Sequence, residues 1–500
     1  MSPGFIVNTL ADASLTVPEA QFISGILHIK HPLTCGIIRS HGHGYPRLNT
    51  SIVILAAGQG KRMHSSLPKV LQPLAGRPLL QHVIDCAIGV GADDICVVYG
   101  HGGDAVREAF AEADVRWALQ AEQLGTGHAV RQAMPETSDE HRVVVLFGDV
   151  PLLKPDTVRK LLDSSGEADV AVLTVELEDP TGYGRIVREN GVVVSNVEER
   201  DASDEEKAIR ETNTGVMCCP AAALKSWLDR LGNDNSQGEY YLTDVLAMAV
   251  ADGVTVHGVV TDDEAEVMGI NDKKQLADAE RALQRRTVDE LMAAGVTFAD
   301  PARVDVRGEL QCGRDVFVEV NVVFEGKVTL GDNVRVGMNN LLRDSTLGNG
   351  TVLRANCHLE GADAGANCII GPYARLRPGA ELANDVRVGN FVEIKKSTVD
   401  DGSKVNHLTY IGDAQVGKGV NVGAGTITCN YDGANKHLTV IGDNAFIGSG
   451  VELVAPVEVG KGATIGAGST ISKPAPDGEL TLERAKQVTV SGWNKPVKKK

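Results

Sequence analysis

The chain has 500 residues, of which 43% are hydrophobic, and this excludes a wholly disordered protein. The length alone suggests roughly three domains. Its net charge of −17 excludes a general binder of nucleic acid or of anionic membranes, because both need a basic surface. Glycine is abundant, with 55 residues, whereas aromatic residues make up only 4%.

The sequence also bears on location. No run of about 18 apolar residues occurs, so we expect no insertion into a membrane. The nine cysteines are an odd number and form no C-x-x-C pair, which favours a reducing compartment. The first 30 residues lack the basic start and apolar run of a signal peptide. We therefore expect a cytoplasmic protein.

Residues 1–49 show no apolar periodicity and include a His41-Gly-His43-Gly run. We expect a flexible extension here. Metal binding by the two histidines is the less favoured alternative.

Residues 50–272 contain short aliphatic runs separated by segments of helical character. The runs are Ser51–Leu55, Ile95–Tyr99, Val143–Phe147 and Val170–Val175. This alternation predicts an α/β domain, with a mostly parallel sheet and helices on both faces. Residues 273–294 then place Leu and Val at helical spacing among many charges, which predicts a linker helix.

The first aliphatic run leads into a glycine-rich turn, Ala56-Ala57-Gly58-Gln59-Gly60, and a predicted helix. A strand, a glycine turn and a helix in this order are typical of phosphate binding. Neither familiar fingerprint fits, because Met63 stands where a Rossmann glycine belongs and Arg62 where a Walker A Ser or Thr belongs. The pattern predicts a phosphate-binding turn of unspecified kind with Lys69 near it, and a purely structural turn is the alternative.

The run Val143–Phe147 ends in Gly148-Asp149-Val150-Pro151. A carboxylate directly after a parallel strand lies at the ligand-binding edge of the sheet. Its oxygens suit Mg²⁺, which takes oxygen ligands and bridges phosphates. The alternative is that Asp149 only forms a turn before Pro151.

Residues 308–468 hold 26 of the 55 glycines and a repeat of six. Aliphatic side chains recur at this spacing without a break at Ile441, Ile447, Leu453, Val459, Ile465 and Ile471. Such hexads predict a parallel β-helix, in which glycine permits tight corners and a narrow core leaves no room for large rings. An ordinary β-sandwich with glycine-rich turns is the alternative.

The hexad region carries a second cluster of polar residues. Arg377 and Lys395 are suited to receive a phosphate monoester. His407 has a side chain that titrates near neutral pH and could take a proton from an attacking amine. Cys429–Ala434 interrupts the hexads, and insertions on a solenoid often project binding loops. Taken one by one, a structural histidine and solvated charges remain the alternatives.

Several motifs resemble those of known enzymes. The stretch from Leu55 to Met63, together with Pro68-Lys69, resembles the signature of sugar-1-phosphate nucleotidyltransferases, and Gln120-Ala-Glu-Gln-Leu-Gly125-Thr126-Gly-His is similar to the uridylyltransferase type. Further motifs follow in the family's order: Pro180-Thr-Gly-Tyr-Gly184, Asn213-Thr-Gly and Gly238-Glu-Tyr-Tyr241-Leu-Thr243-Asp. With the hexads behind them, residues 50–500 resemble the bacterial bifunctional N-acetylglucosamine-1-phosphate uridylyltransferase/glucosamine-1-phosphate N-acetyltransferases.

The resemblance implies a domain organisation. Residues 1–49 remain an unmatched extension. Residues 50–272 would form a Rossmann-like uridylyltransferase domain, 273–294 a linker helix, and 295–500 a left-handed parallel β-helix with N-acetyltransferase activity.

For the first domain, the resemblance implies transfer of UMP from UTP to N-acetylglucosamine-1-phosphate. Asp149 and Asn271 would bind Mg²⁺, and Arg62 and Lys69 would act in catalysis by neutralising the triphosphate. The residues implied to hold UTP and the UDP-sugar are Leu55, Ala56, Ala57, Gly58, Lys69, Gln120, Gly125, Thr126, Phe147, Gly148, Asp149, Gly184, Glu198, Asn213, Tyr241, Thr243 and Asn271.

For the second domain, the resemblance implies acetylation of glucosamine-1-phosphate by acetyl-CoA, with His407 as general base and Glu393 as a candidate to orient it. The sugar phosphate would be held by Arg377, Lys395, Tyr410 and Asn421. The acetyl-CoA site would be lined by Ala424, Asn430, Tyr431, Ser449, Ala467 and Arg484. Members of the family are homotrimers whose acetyltransferase sites lie between neighbouring subunits, so a homotrimer is implied.

Two rival functions remain. A single-activity nucleotidyltransferase with a regulatory β-helix would not turn over acetyl-CoA, and the cluster around His407 speaks against it. A non-catalytic scaffold subunit should have lost site residues, yet Lys69, Asp149 and His407 are all present. The lysine-rich end at 495–500 is expected to be solvated, and approach to the phosphates of coenzyme A is the alternative. The implied biological role is precursor supply for peptidoglycan and lipopolysaccharide.

Overall fold

The computed structural model describes residues 49–58, 60–100, 103–496 and 498. The chain divides into two compact units. Unit 1 holds the described residues up to Pro73 together with Arg77–Leu276, and unit 2 holds Leu74–Gly76 and the described residues from Ala277 onwards. The expectations for residues 1–48, including His41 and His43, lie outside the described residues, as do those for Gln59 and for part of the lysine-rich end.

Unit 1 is built on a nine-stranded mixed sheet. The strands of the first part of the chain are β1 (Thr50–Ala56), β2 (Pro73–Leu74), β3 (Arg77–Pro78), β4 (Asp94–Gly100), β5 (Arg116–Gln120), β6 (Arg142–Phe147), β7 (Val170–Glu176), β8 (Arg185–Glu189), β9 (Val192–Val197), β10 (Glu211–Pro220) and β11 (Val256–Thr261). The order in the sheet is β11-β7-β10-β6-β1-β4-β5; β8 pairs with β10, and β9 pairs with β8. Strands β2 and β3 form a separate two-stranded sheet. Strands β6, β1, β4 and β5 are parallel, whereas β10 runs antiparallel to β6 and β7.

Helices cover both faces of this sheet. The helices of unit 1 are α1 (Leu79–Val90), α2 (Asp104–Ala109), α3 (Thr126–Ala133), α4 (Pro155–Asp163), α5 (Asp204–Lys207), α6 (Ala221–Arg230) and α7 (Asp244–Ala251). The longer α8 (Lys273–Ala293) belongs to unit 2 from Ala277 onwards. Strand β1 is buried along its whole length. Val53 and Leu55 pack into one apolar cluster, and Ile52 and Ile54 pack into the other. Alternate side chains of a strand point to opposite faces, so a strand covered on both sides reads as a continuous apolar run.

Unit 2 is a parallel β-helix. Its strands are β12 (Thr297–Phe298), β13 (Val304–Cys312), β14 (Phe317–Val318), β15 (Val322–Leu330), β16 (Arg335–Val336), β17 (Leu341–Arg343), β18 (Thr346–Leu347), β19 (Val352–Leu353), β20 (His358–Glu360), β21 (Ala362–Ala364), β22 (Ile369–Ile370), β23 (Arg375–Leu376), β24 (Ala380–Leu382), β25 (Arg387–Asn390), β26 (Glu393–Lys395), β27 (Ser397–Val399), β28 (Lys404–His407), β29 (Tyr410–Gly412), β30 (Ala414–Val416), β31 (Asn421–Val422), β32 (Ile427–Cys429), β33 (Thr439–Ile441), β34 (Phe446–Ile447), β35 (Glu452–Val454), β36 (Val457–Val459), β37 (Thr464–Ile465), β38 (Thr470–Ile471) and β39 (Leu480–Thr481). They form one sheet of 11 strands and one of 17.

The coils of unit 2 stack with a regular register that the insertion interrupts. Lys404 pairs with Asn421, whereas Asn421 pairs with Phe446, so this later coil is longer. The predicted hexad side chains lie in one continuous core, in which Ile441, Ile447 and Ile465 are at most 1% exposed. Phe298 and Phe324 are the only aromatic side chains in this core among the described residues. The narrow core therefore accounts for the scarcity of aromatic residues.

Glycine has a structural reason at the corners of these coils. A Cβ atom on Gly423 would lie 2.5 Å from the carbonyl carbon of Gly448 in the next coil, closer than real contacts allow. The close stacking of the coils therefore explains why glycine is frequent in this unit. Separately, no helix among the described residues is long and apolar enough to cross a membrane.

Candidate active sites

The glycine-rich turn after β1 forms one wall of an open cleft of about 200 Å³ in unit 1. Ala57 and Gly58 line it on one side, and Gly100 at the end of β4 lines it on the other. The Gln123 side chain, which also lines the cleft, donates a hydrogen bond to the Ala57 carbonyl oxygen. A Cβ on Gly100 would lie 2.6 Å from that same oxygen. The cleft thus sits at the carboxyl ends of two parallel strands, where α/β sheets bind ligands.

The predicted helix directly after the turn is wrong. Lys61–Met63 forms only a single 3₁₀ turn, and the first described α-helix begins at Leu79. Pro68 contributes to this, because the residue before a proline is pushed away from helical backbone. Gly60 has φ +61°, and a Cβ there would lie 2.6 Å from Lys69 Cβ. The glycine therefore gives Lys69 room beside the turn, and no long helix stands behind the turn to provide an N-terminal dipole.

Lys69, Asp149 and Asn271 come together from three distant parts of unit 1. The Lys69 ammonium donates to the Asp149 carboxylate and, at 3.1 Å, to Asn271 Oδ1. The Lys69 side chain is only 10% exposed and the Asp149 side chain 22%. The Ile270 N–H donates to the Asp149 carbonyl oxygen at 2.9 Å, which ties the two loops together. Two oxygen atoms therefore converge on one cationic group.

Arg62 is not part of this group. It lies exposed in the 3₁₀ turn. Across residues 49–58, 60–100 and 103–496, no hydrogen bond or ion pair joins Arg62 to Lys69, Asp149 or Asn271. Of the two cations assigned to catalysis from the sequence, only Lys69 lies at the paired oxygens.

Gln120 and Gly125 lie together where β5 passes into α3. Gln120 is 3% exposed, and its Nε2 atom donates to the Gly125 carbonyl oxygen at 3.1 Å. The same nitrogen lies 3.1 Å from His128 Nδ1. Thr126 Oγ1 accepts a hydrogen bond from the Leu242 N–H at 3.1 Å. His128 was not singled out from the sequence, although it ends the motif that was.

Phe147 and Gly148 stand at the end of β6, next to the glycine-rich turn. The Gly148 N–H donates to the Leu55 carbonyl oxygen at 2.9 Å. The Phe147 ring lies over Gly215, where a Cβ would come within 2.6 Å of the ring. Gly148 therefore packs against the end of β1, one residue before Asp149.

A second cleft of unit 1, of about 450 Å³, holds part of the predicted amino-sugar group. Glu198 and Tyr241 line it, together with Asn196. Glu198 Oε1 accepts hydrogen bonds from Asn196 Nδ2 at 3.0 Å and from Thr243 Oγ1 at 3.3 Å. Three of these four residues were predicted, and Asn196 was not.

Gly184 and Asn213 adjoin the same group. The Asn213 N–H donates to the Gly184 carbonyl oxygen at 3.0 Å, and a Cβ on Gly184 would lie 2.5 Å from Asn196 Oδ1. Asn196 is thus the residue that both halves of the group share. Asp244 also lines this cleft, and burial followed by the nearby charges of Glu198 and Asp201 raises the pKa of its carboxyl group.

In unit 2, three basic side chains cluster beside the insertion. Arg377 forms an ion pair with Glu393 at 2.8 Å. The ammonium group of Lys436, loss of hydration and then the Arg377 guanidinium hold the pKa of Lys395 below its ordinary value. Lys436 belongs to the insertion and was not predicted. This concentration of positive charge suits a doubly charged phosphate monoester.

His407 lies at a corner of the β-helix with Asn390 one coil before it. The two residues are paired in register, and His407 Nδ1 is 3.1 Å from Asn390 Oδ1. Glu393, the residue considered from the sequence for orienting His407, instead pairs with Arg377. The hydrogen bond from the imidazole Nδ1 is therefore accepted by the Asn390 side-chain oxygen.

The predicted acetyl-CoA residues Ala424, Ser449 and Ala467 continue the corner that His407 occupies. Successive coils are joined by backbone hydrogen bonds from Gly425 to His407 (3.2 Å), from Gly450 to Ala424 (2.7 Å) and from Gly468 to Ser449 (2.8 Å). Arg484 reaches the end of the row, because a Cβ on Gly468 would lie 3.9 Å from Arg484 Cδ. These residues form one row along the solenoid, with His407 at its start.

Asn430 and Tyr431 begin the insertion. Asn430 is 7% exposed, and its side chain donates to Asp413 Oδ2 at 2.5 Å, which anchors the loop. Tyr431 is 61% exposed and pairs through its backbone with Lys436. Backbone N–H groups within the loop and then His437 lower the pKa of Asp432, whose carboxylate lies 2.7 Å from His437 Nε2. The insertion is therefore a closed, internally bonded loop.

The four residues predicted to hold the sugar phosphate are not all gathered. Tyr410 lies on the 17-stranded sheet, paired with Glu393, while Asn421 lies on the 11-stranded sheet. Within the described part of the chain, no hydrogen bond joins Asn421 to Arg377, Lys395 or Tyr410. One chain thus presents this site on two separate faces.

Three bulky residues occupy strained positions at the His407 corner. Tyr373, Phe391 and Leu408 have φ values of +57°, +55° and +48°, and all three are more than half exposed. The rings of Tyr373 and Phe391 stack, with centroids 5.3 Å apart. Earlier coils of the same corner carry Asn at these left-handed positions: Asn321, Asn339 and Asn356. An apolar stripe, hereafter the corner stripe (Tyr373, Phe391 and Leu408), therefore faces solvent beside His407.

Comparison with known proteins agrees with this two-part architecture. Residues 52–237 match the MobA-like NTP transferase domain, and residues 438–473 match the bacterial transferase hexapeptide family of six repeats. A protein named bifunctional protein GlmU from Azoarcus sp. (strain BH72) is 58% identical over 450 residues, which covers 90% of this chain and all of that one. Proteins of the same name from Aromatoleum aromaticum (58% over 450 residues) and Janthinobacterium sp. (strain Marseille) (56% over 448 residues) cover 90% of this chain and are themselves 99% covered. The predicted fold class and the predicted family are confirmed, and the chain belongs to the bifunctional GlmU family.

Proposed function

We propose that the chain catalyses two consecutive reactions. Unit 2 transfers the acetyl group of acetyl-CoA to glucosamine-1-phosphate. Unit 1 joins the resulting N-acetylglucosamine-1-phosphate to UMP from UTP and releases pyrophosphate. The observation that carries this proposal is the presence of two separate polar sites, one around Asp149 and one around His407, in a member of a family named bifunctional.

The site in unit 1 fits Mg²⁺. The Asp149 carboxylate and Asn271 Oδ1 already converge on the Lys69 ammonium, which stands in for a cation between them. No group of three or more His, Cys, Asp or Glu side chains suited to a metal occurs in the described ranges. Two protein oxygens are nonetheless enough for Mg²⁺, which usually completes its shell with waters and substrate phosphates. When bound there, Mg²⁺ neutralises charge on the triphosphate.

The chain's own residues then position the two anions of uridylyl transfer. A phosphate oxygen of the sugar phosphate attacks the α-phosphorus of UTP, and the bond to the β-phosphate breaks as pyrophosphate leaves. With a cation held by Asp149 and Asn271, the Lys69 ammonium would be free to place its charge on the phosphates. Since no protein nucleophile takes part, neutralisation and alignment supply most of the rate. The cleft lined by Glu198 and Tyr241 holds the sugar.

In the acetyl transfer, His407 takes the proton from the attacking amine. The amine nitrogen attacks the thioester carbonyl carbon, the carbon–sulfur bond breaks, and coenzyme A leaves as the thiol. The Asn390 side chain holds Nδ1, so that Nε2 is left to accept the proton. Arg377, Lys395 and Lys436 hold the phosphate, and the row from Ala424 to Ala467 holds acetyl-CoA.

We further propose a homotrimer in which the acetyltransferase site is completed by a neighbouring copy. Two features support it. Asn421 and Tyr410 are presented on different faces of one β-helix. The corner stripe also exposes stacked aromatic side chains at left-handed positions, where non-glycine residues other than Asn and Asp are rare.

We also propose the domain division: a uridylyltransferase part at 50–272, a linker helix at 273–294 and an acetyltransferase part at 295–500. The cytoplasmic location is proposed too, and the state of the cysteines supports it. All eight cysteines in the described ranges are free, as expected in a reducing compartment.

The proposed function is tested by supplying substrates separately to full-length protein with Mg²⁺. Glucosamine-1-phosphate with acetyl-CoA should release free thiol without UTP. N-acetylglucosamine-1-phosphate with UTP should release pyrophosphate without acetyl-CoA. A regulatory β-helix predicts pyrophosphate but no thiol, and a scaffold subunit predicts neither, so either result would overturn the proposal.

A further inference from the structure

The hydrogen bonds of Gln120 indicate a role for His128 in unit 1. Gln120 Nε2 lies 3.1 Å from the Gly125 carbonyl oxygen and 3.1 Å from His128 Nδ1. A carbonyl oxygen only accepts hydrogen bonds, so the nitrogen end of the Gln120 amide must be the one that faces Gly125. Gly125 itself is confined, because a Cβ there would lie 2.7 Å from the Tyr240 carbonyl oxygen. The orientation of the amide thus follows from its surroundings.

This orientation also sets the state of His128. Since Gln120 Nε2 donates, His128 Nδ1 must accept, which requires the neutral ring with its proton on Nε2. The Gln132 amide nitrogen, 3.2 Å from His128 Nε2, donates to the His128 carbonyl oxygen at 3.1 Å, so the N–H of the ring is left to the Glu122 carbonyl oxygen, with which the ring also hydrogen-bonds. Burial and then the Arg131 charge lower the pKa of His128, while Glu122 opposes them. The neutral ring is therefore the form present near pH 7.

Both N–H bonds of the Gln120 amide are then committed, one to Gly125 and one to His128. Only Oε1, an acceptor, is left for a ligand. Gln120 is paired in the sheet with Gly100, which lines the cleft beside the glycine-rich turn. A nucleobase at this edge therefore meets a fixed acceptor.

We propose that His128 is a positioning residue that locks the Gln120 amide with its acceptor towards the nucleobase, and that it thereby selects uracil over cytosine. Uracil carries a donor at N3, whereas cytosine carries an acceptor there, which the Gln120 oxygen would repel. The proposal rests on the proposed function, in which this site takes UTP. A site built from fixed hydrogen bonds discriminates more strongly than an apolar pocket of the same shape.

Two substitutions of His128 test the proposal. H128F keeps a ring but removes the acceptor, whereas H128N places an amide oxygen near the position of Nδ1. For H128F we expect KM for UTP to rise about tenfold, with a smaller change in kcat, and the preference for UTP over CTP in kcat/KM to fall about tenfold, the usual effect of one lost hydrogen bond. H128N should recover most of both values. H257F, on the edge strand at the far end of the sheet, is the matched control.

The outcomes separate this proposal from the proposed function. Wild-type protein that releases no pyrophosphate from UTP overturns the proposed function itself, before any variant is compared. With active wild type, an H128F enzyme of unchanged KM and unchanged UTP preference overturns the role of His128. Equal losses in H128F and H128N would also overturn it, because they would show that only the packing of the imidazole matters. The melting transition of unit 1 in every variant reports whether that unit is folded, because acetyl transfer reports only on unit 2.

Discussion

Unit 1 and unit 2 assemble their sites in opposite ways. In unit 1, Lys69, Asp149 and Asn271 are far apart in sequence and meet at one point where strands of a mixed sheet end. In unit 2, His407, Ala424, Ser449 and Ala467 come from successive coils and form an open row. A sheet with both faces covered can enclose a site within one chain, whereas a solenoid presents surfaces. We therefore propose that the uridylyltransferase site is complete within one chain and that the acetyltransferase site is completed by a second copy.

The largest expected effect separates the two sites. Asp149→Asn removes the negative charge that we propose binds Mg²⁺, so we expect uridylyl transfer to fall by roughly a thousandfold. Acetyl transfer should stay within about twofold of wild type, because Asp149 lies in the other unit. Initial rates of pyrophosphate and thiol release measure the two activities. Asp156→Asn, at an exposed carboxylate of α4, is the control. Equal loss of both activities in Asp149→Asn would contradict the assignment of the two reactions to separate sites.

The corner stripe tests the need for a second copy. The double substitution Tyr373→Asn and Leu408→Asn places the residue used in earlier coils at two left-handed positions. We expect the free chain to be no less stable, since Asn tolerates this backbone, yet the trimer to dissociate. Acetyl transfer should then fall by roughly tenfold to a hundredfold while uridylyl transfer persists.

Light scattering checks the assembly in that double variant. The wild type should have three times the 52.9 kDa mass of the chain, and the variant should have the mass of a single chain. A trimeric variant with full acetyl transfer would show that the stripe is not the interface.

A smaller effect is expected at Asn390, the residue beside His407, which we propose as the general base. Asn390→Ala removes the hydrogen bond to His407 Nδ1, so kcat for acetyl transfer should fall about tenfold with little change in KM. Asn390→Asp keeps an acceptor and adds a negative charge, which stabilises the imidazolium ion. The acidic limb of its pH–rate profile should therefore move to higher pH. A profile unchanged in both variants would remove Asn390 from the mechanism.

The smallest effect concerns stability in unit 1. Burial and the charges of Glu198 and Asp201 raise the pKa of Asp244 above its ordinary value of 3.8. Ionised Asp244 therefore costs stability above about pH 4 and costs none below it. Asp244→Asn should raise the melting temperature at pH 7 but not at pH 3.5. Asp229→Asn, at an exposed position of α6, should change neither, and a lower melting temperature for Asp244→Asn at pH 7 would contradict this account.

Most of the fold could be predicted from the sequence, but the signal that predicts it differs between the two units. Hexad spacing predicts the β-helix directly, because each coil repeats the same burial. The aliphatic runs likewise predict the strands of the sheet. The helix after Gly60 was wrong, since the local pattern of turn and charge does not reveal how Pro68 and the approach of Lys69 redirect the backbone.

Site residues that lie in a recognised motif could be predicted from the sequence. Residues whose role depends on a contact across the fold were harder to predict. Lys69 lies in a motif, Asp149 follows a predicted strand, and Asn271 was assigned only by the family resemblance; the structure brings the three together. Asn196 and Asn390 were missed, because each acts through a partner across a sheet or on a neighbouring coil. No spacing along the chain signals the role of Asn196, whereas Asn390 lies one coil of 17 residues before His407, a spacing at which the repeat stacks residues. His128 lies in a motif that the sequence analysis identified, but its role is inferred only from its distance to Gln120.

Mixing two inactive variants tests most directly whether the two sites act independently and in sequence. Asp149→Asn and His407→Ala would each be given glucosamine-1-phosphate, acetyl-CoA, UTP and Mg²⁺, and formation of UDP-N-acetylglucosamine would be measured. Each variant alone should form almost none, while an equal mixture should form it readily, because the acetylated intermediate made by one variant diffuses to the other. A mixture as inactive as its parts, from variants that remain folded, would contradict the account.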